Sequence, residues 1–142
     1  MADDKRKRVR TRDVVADGLY IASAATRLRL KNAILVHILA NGEDFDPDLY
    51  LGEARSALES LAEEAEADAA ARERERKIAR TRHSDSDGTH DYRSRDVRNL
   101  RRREKQSLHV AHQLRLRAAD DAELHKLIAD ARDAAWAEVA KN

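Results

Sequence analysis

Apolar residues recur at helical spacing in four segments of this chain, and no stretch shows the sustained alternation of a strand. The first segment predicts a helix starting near Asp13, with Thr11 or Asp13 as its cap. Its apolar row is read as Val14, Val15, Leu19, Tyr20, Ala24, Leu28, Leu35 and Ile38. Gly18 weakens it by up to about 1 kcal/mol relative to alanine and could mark an early bend. The run Ala33-Ile34-Leu35-Val36 is apolar all round and predicts the most buried part of the protein. Asn41-Gly42 then reads as a left-handed helix end.

Asp46-Pro47 predicts the next helix start, an acceptor side chain followed by a residue whose fixed φ suits the first turn. Tyr50, Ala54, Ala57, Leu58, Leu61 and Ala65 form its apolar face, with Glu53, Glu59, Glu63, Glu64, Glu66 and Asp68 mostly opposite. Beyond Ala71 the stripe thins to charge, and the helix is expected to run to about Arg82 with little core beneath it. The polar stretch His83 to His90 predicts a loop. A third helix is expected from Asp91 or Asp96, with Val97, Leu100, Leu108, Ala111, Leu114 and Ala118 inward. Asp120 and Glu123 have the spacing of a start signal for a fourth, using Leu124, Leu127, Ile128, Ala131, Ala135 and Val139. The bend at 119–121 leaves open whether helices three and four are continuous. The pattern predicts an all-α fold: a three- or four-helix antiparallel bundle with an extended basic helical hairpin. Residues 1–12 are expected to form a disordered basic tail, and 13–142 a single helical domain with its hairpin arm at 72–107.

Composition narrows the function classes. Only one proline and four glycines interrupt 142 residues, which favours long helices. With one Trp, one Phe and three Tyr, much of the apolar content is alanine, so the core is expected to be thin. The absence of cysteine excludes disulfides, thiolate catalysis and cysteine zinc sites, and fits a reducing cytoplasm. Lys5-Arg6-Lys7-Arg8 is not followed by an apolar run, so no secretory signal is read there. No apolar run is long enough for a membrane span.

Charge is strongly polarised along the chain. Residues 72–107 hold 13 Lys/Arg against seven acids, and residues 13–71 hold 12 acids against four bases. Such polarity bears on partners and self-pairing. Within the basic stretch Tyr92, Arg93, Arg95, Arg98, Arg101, Arg102 and Arg103 are the candidate binding residues. Arginine suits phosphate because it is always charged and donates in a planar fork; Tyr92 could stack on a base, although one aromatic makes a poor platform. The competing reading pairs these arginines with the acidic face of the second helix, in the same molecule or in a dimer mate. A polar network at Asp91, Arg95, Asp96, Asn99 and Arg102 admits an anion site at the helix start, against the plainer reading of local salt bridges. His83, Asp85, Asp87 and His90 could in principle hold a metal, but their spacing matches no established motif and no metal site is expected. His109 and His112 share a helix face, His125 follows Asp121 by four residues, and a pH response is possible near neutrality. No phosphate loop, nucleophile elbow or paired-histidine motif occurs.

Two stretches, Tyr20-Ile21-Ala22 through Leu30-Lys31-Asn32-Ala33 and His90-Asp91-Tyr92-Arg93 through Asp96 to Glu104, resemble a group of short all-helical proteins of high-GC bacteria. Some of that group bear the name asparagine synthase. The residues here do not support that activity. Asparagine synthetases join a cysteine glutaminase to an ATP-pyrophosphatase with an SGG-x-DS loop, and this chain has neither feature and is far too short for both. No catalytic residue carries over. The resulting expectation is a non-enzymatic cytoplasmic interaction protein without cofactor, working through a charged helical surface. Its partner is expected to be another protein or its own copy. The alternative is binding of an RNA or DNA backbone by the basic arm and tail.

Overall fold

A computed structural model describes residues 10–42, 46–81 and 92–141, leaving aside the side chains of Tyr92 and Arg93. It is an all-α bundle of α1 (Thr11–Asn41), α2 (Leu51–Thr81), α3 (Tyr92–Ala118) and α4 (Asp121–Lys141). A short 3₁₀ turn, Pro47–Tyr50, leads into α2. Among the described residues no helix is long and apolar enough to cross a membrane.

Local signals account for three of the element ends. The Gly42 N–H donates to the Ile38 carbonyl at 2.7 Å, and Gly42 takes φ 69°, a conformation glycine adopts without strain. Asp46 accepts from the Asp48 N–H at 3.0 Å, so it caps the 3₁₀ turn that precedes α2. Asp120 accepts from the Ala122 N–H at 3.0 Å, which starts α4 and separates it from α3. The first helix differs from expectation. It begins at Thr11, behind Arg10, with no side-chain cap bond. Thr11 and Arg12 therefore belong to the helix, while residues 1–9 lie outside the described part.

Specific contacts set the helix directions. Gly18 lies against Val110, and Arg117 donates to the Ser23 hydroxyl at 2.9 Å, so α1 and α3 run parallel. Further along α1, Lys31 pairs with Glu138 of α4. The pairs Asp68 to Ser107 and Arg76 to Glu104 make α2 and α3 antiparallel. Helix α1 thus packs its first half on α3 and its second half on α4. Gly18 is better explained by this approach than by a bend: a Cβ there would meet Val110 Cγ2 at 3.2 Å.

The continuous core joins α1, the first half of α2, the second half of α3, and α4, as the apolar pattern implies. Ten of the eighteen buried apolar residues are alanine, so the burial per residue is small. In α1 the buried row is Val15, Ala22, Thr26, Leu30, Ile34 and Ile38. Tyr20, Leu28 and Val36, read from sequence as inward, are 70%, 55% and 67% exposed. The apolar residues of α1 lie on two sides, and periodicity alone chose the wrong one. Thr26 fits the core because its hydroxyl donates to the Ala22 carbonyl at 2.8 Å.

The distal half of α2 is held more firmly than its charge suggests. Ala69 and Ala79 are buried against α3. Between them Arg76 and Glu104 form an ion pair at 2.9 Å, with side chains only 15% and 14% exposed. Ser107 donates to Asp68 at 2.6 Å. Arg55 secures the other end: its Nε donates to the Ala118 carbonyl at 3.0 Å and its Nη2 to Asp121 at 2.6 Å. One α2 side chain thus satisfies a terminal carbonyl of α3 and fixes the first turn of α4.

Replacing Arg76 with alanine strands Glu104 in a largely water-excluded position and should cost about 2–3 kcal/mol in chemical denaturation. Replacing Arg55 with alanine should cost about 1 kcal/mol, read in the same way, because its groups are more exposed.

Candidate functional site

Helix α3 separates its charges by face. Its only acids are Asp96 and Glu104. Glu104 is spent on Arg76 of α2, and Asp96 lines a groove of about 380 Å³ shared with Glu75, Ile78 and Ala79 of α2. The outward side is left to cations. Arg95, Arg98, Arg101, Arg102 and Lys105 are exposed, and with Thr11 and Asn99 they line an open groove of about 970 Å³. Arg102 donates to Asn99 at 2.6 Å. Among the described residues no carboxylate pairs with these five cations. Arg95 to Lys105 spans about 15 Å of helix.

The candidate arginines therefore divide. Arg95, Arg98, Arg101 and Arg102 share one surface, and Lys105 joins them although it was not singled out from sequence. Its position follows Arg98 and Arg101 by two helical turns and one, which is the signal that could have found it. Arg103 points elsewhere: it lines the α2 groove and adds its field to the Asp68 carboxylate. The side chains of Tyr92 and Arg93 lie outside the described part, as does the loop 83–90 with its histidines and aspartates.

Glu66 and Asp68 on the acidic face of α2 are engaged by other groups. Arg115 of α3 grips Glu66 with two donors and holds its carboxyl below the usual range. Asp68 is held low by the Ser107 hydroxyl first and then by Arg72. Arg72 in turn bridges Asp68 and Glu75 within α2, at 3.1 and 2.9 Å. So α2 and α3 do pair charge, but through Arg115 and Arg76. The cations at 95, 98, 101 and 102 are not consumed.

The remaining histidines take separate places. His109 and His112 are exposed on α3 beyond Lys105. His125 Nε2 lies 3.0 Å from Asp48 and its Nδ1 lies 2.8 Å from the Asp121 carbonyl. Both partners are acceptors, so the doubly protonated imidazolium suits the site. The Asp48 hydrogen bond, then that to the Asp121 carbonyl, raises the His125 pKa. Among the described residues no three ligand-type side chains gather in a metal-binding cluster.

Comparison with protein-family models, with curated proteins and with solved structures finds no match. The physical arrangement of the site therefore carries the functional argument.

The histidine contact has a definite pH sign. A raised folded-state pKa adds stability that is fully present below the unfolded value, about 6.5. That stability fades as pH rises through the folded value. The melting temperature of the parent should exceed that of His125→Ala most clearly in mild acid, and the gap should narrow in mild alkali. An NMR titration of the His125 ring should give a midpoint above the free-histidine value.

Proposed function

We propose that the outward face of α3 binds the phosphate backbone of a nucleic acid. The carrying observation is the segregation of charge: both acids of α3 face α2, and five cations face solvent together. Four of the five are arginines, whose forked donors match phosphate oxygens. The backbone N–H groups at the start of α1 add to this field, since Thr11 lines the same groove and no side chain caps that end. The contact requires no catalysis, and the reading is of a binding protein without cofactor. It is also sequence-independent, because a row of arginines on phosphates positions a duplex or a strand without reading bases.

The competing use of these arginines, neutralisation by the acidic face of α2, is weakened at two of its acids. Glu66 and Asp68 already have Arg115, Ser107 and Arg72. A role in contacting a protein partner rests on a different surface, the outer side of α1.

Fluorescence anisotropy with labelled duplex and single-stranded oligonucleotides tests the proposal. Four to five phosphate contacts give a slope of log affinity against log salt of about −4 on duplex and about −3 on single strands. Changing Arg98, Arg101 and Arg102 together to alanine should flatten the duplex slope by about 3. Arg103→Ala, which alters a cation facing α2, should change affinity little. Absence of binding at about 50 mM salt, where counterion release is most favourable, would remove the proposal.

A further inference from the structure

Helix α1 carries a second apolar row that the fold does not use. Ile21, Ala25, Leu28, Asn32, Val36 and Leu39 recur at steps of three and four on its outer side, away from the buried Ala22, Thr26, Leu30, Ile34 and Ile38. Ile21, Leu28, Val36 and Leu39 are 66%, 55%, 67% and 69% exposed. In a chain that is 39% charged, no member of this row is charged. Helices facing water on one side ordinarily place charge there.

We propose that this outer face of α1 is where the protein pairs with a second copy of itself. Charge favours this pairing. Two cations flanking the row lie beside acids of the same molecule, Arg29 at 3.8 Å from Glu53 on the α2 side and Lys31 paired with Glu138 on the α4 side. Two copies therefore meet along uncharged side chains whose flanking charge is partly balanced, which limits mutual repulsion. The cationic face of α3 would repel its own copy.

Asn32 supplies the second argument. It sits near the middle of the row, and an amide is self-complementary, carrying donors and an acceptor. Across a two-fold interface Asn32 meets its counterpart and finds both. A single asparagine in an apolar helical seam sets register in this way in paired helices.

Area is the third. From Ile21 to Leu39 the row is about 27 Å long, and two such strips with their rims bury on the order of 1,000 Å². That is the lower bound for a specific interface, so a weak dimer with a micromolar dissociation constant is expected. The ridge of side chains at steps of three and four suits helix-on-helix packing.

Sedimentation velocity over about 1–300 µM reads the result directly, spanning the range in which a micromolar dimer dissociates. The mass should rise from 16.1 kDa toward twice that value. Leu28→Glu with Val36→Glu should remain monomeric throughout, with an unchanged far-UV spectrum because both positions are exposed. Since the chain has no cysteine, Asn32→Cys offers a reading independent of that variant. Mild oxidation should convert it to a disulfide-linked dimer, while Glu123→Cys should not cross-link. The Arg98/Arg101/Arg102→Ala variant should dimerise as the parent does, which separates this interface from the nucleic-acid reading. A parent that stays monomeric, an Asn32→Cys variant that does not cross-link, or a dimer lost with the three arginines would each overturn the proposal.

Discussion

The close packing of α2 on α3 through alanine is the constraint on which the rest of this structure depends. Ala62, Ala69 and Ala79 of α2 and Ala111 and Ala118 of α3 are all buried. Small side chains bury little area each, but they let two helices approach closely. At that separation long side chains at the edge of the seam can reach across. Arg76 reaches Glu104, Arg115 reaches Glu66, and Ser107 reaches Asp68. The seam is thus closed by polar groups where other bundles use leucine. Its stability rests on keeping partially buried charge paired, since a single loss leaves the other group desolvated.

The same constraint shapes the outer surface. Drawing Asp96 and Glu104 toward α2 removes the negative charge from the rest of α3. What remains outward is a row of arginines with one lysine, without any repositioning of backbone. The proposed interface is therefore a by-product of how the hairpin closes. Charged residues that are neighbours in the sequence become separated in space because helical geometry sends them to different faces. Arg102 and Arg103 illustrate this, one facing the open groove and the other the α2 side.

Helix α1 ties the two ends of the molecule together. Its first half meets α3 and its second half meets α4, so the buried row winds around the helix as the neighbours change. This explains why its periodicity misled. Both sides of α1 carry apolar residues at helical spacing, and an amphipathic reading assumes that only one does. The outer row becomes distinguishable once the positions of α2 and α4 are known. Arg55 was equally hidden. As one arginine among many it had no distinguishing sequence mark, and its task of completing the α3 end is set by a residue 63 positions away.

Local chemistry was legible in the sequence wherever a residue acts on its own turn. Gly42 ends α1 because its positive φ carries no Cβ penalty, and Asp46 and Asp120 start their elements because a short carboxylate reaches the second following N–H. The all-α class and most of the core followed from periodicity for the same reason, whereas the pattern leaves the break between α3 and α4 open. Tertiary structure alone decided which side of α1 is buried, which acids the bases of the hairpin meet, and which arginines stay free of the α2 surface. Those outcomes depend on the distance and rotation between helices. The many small alanines set both, and no single residue in the sequence records them.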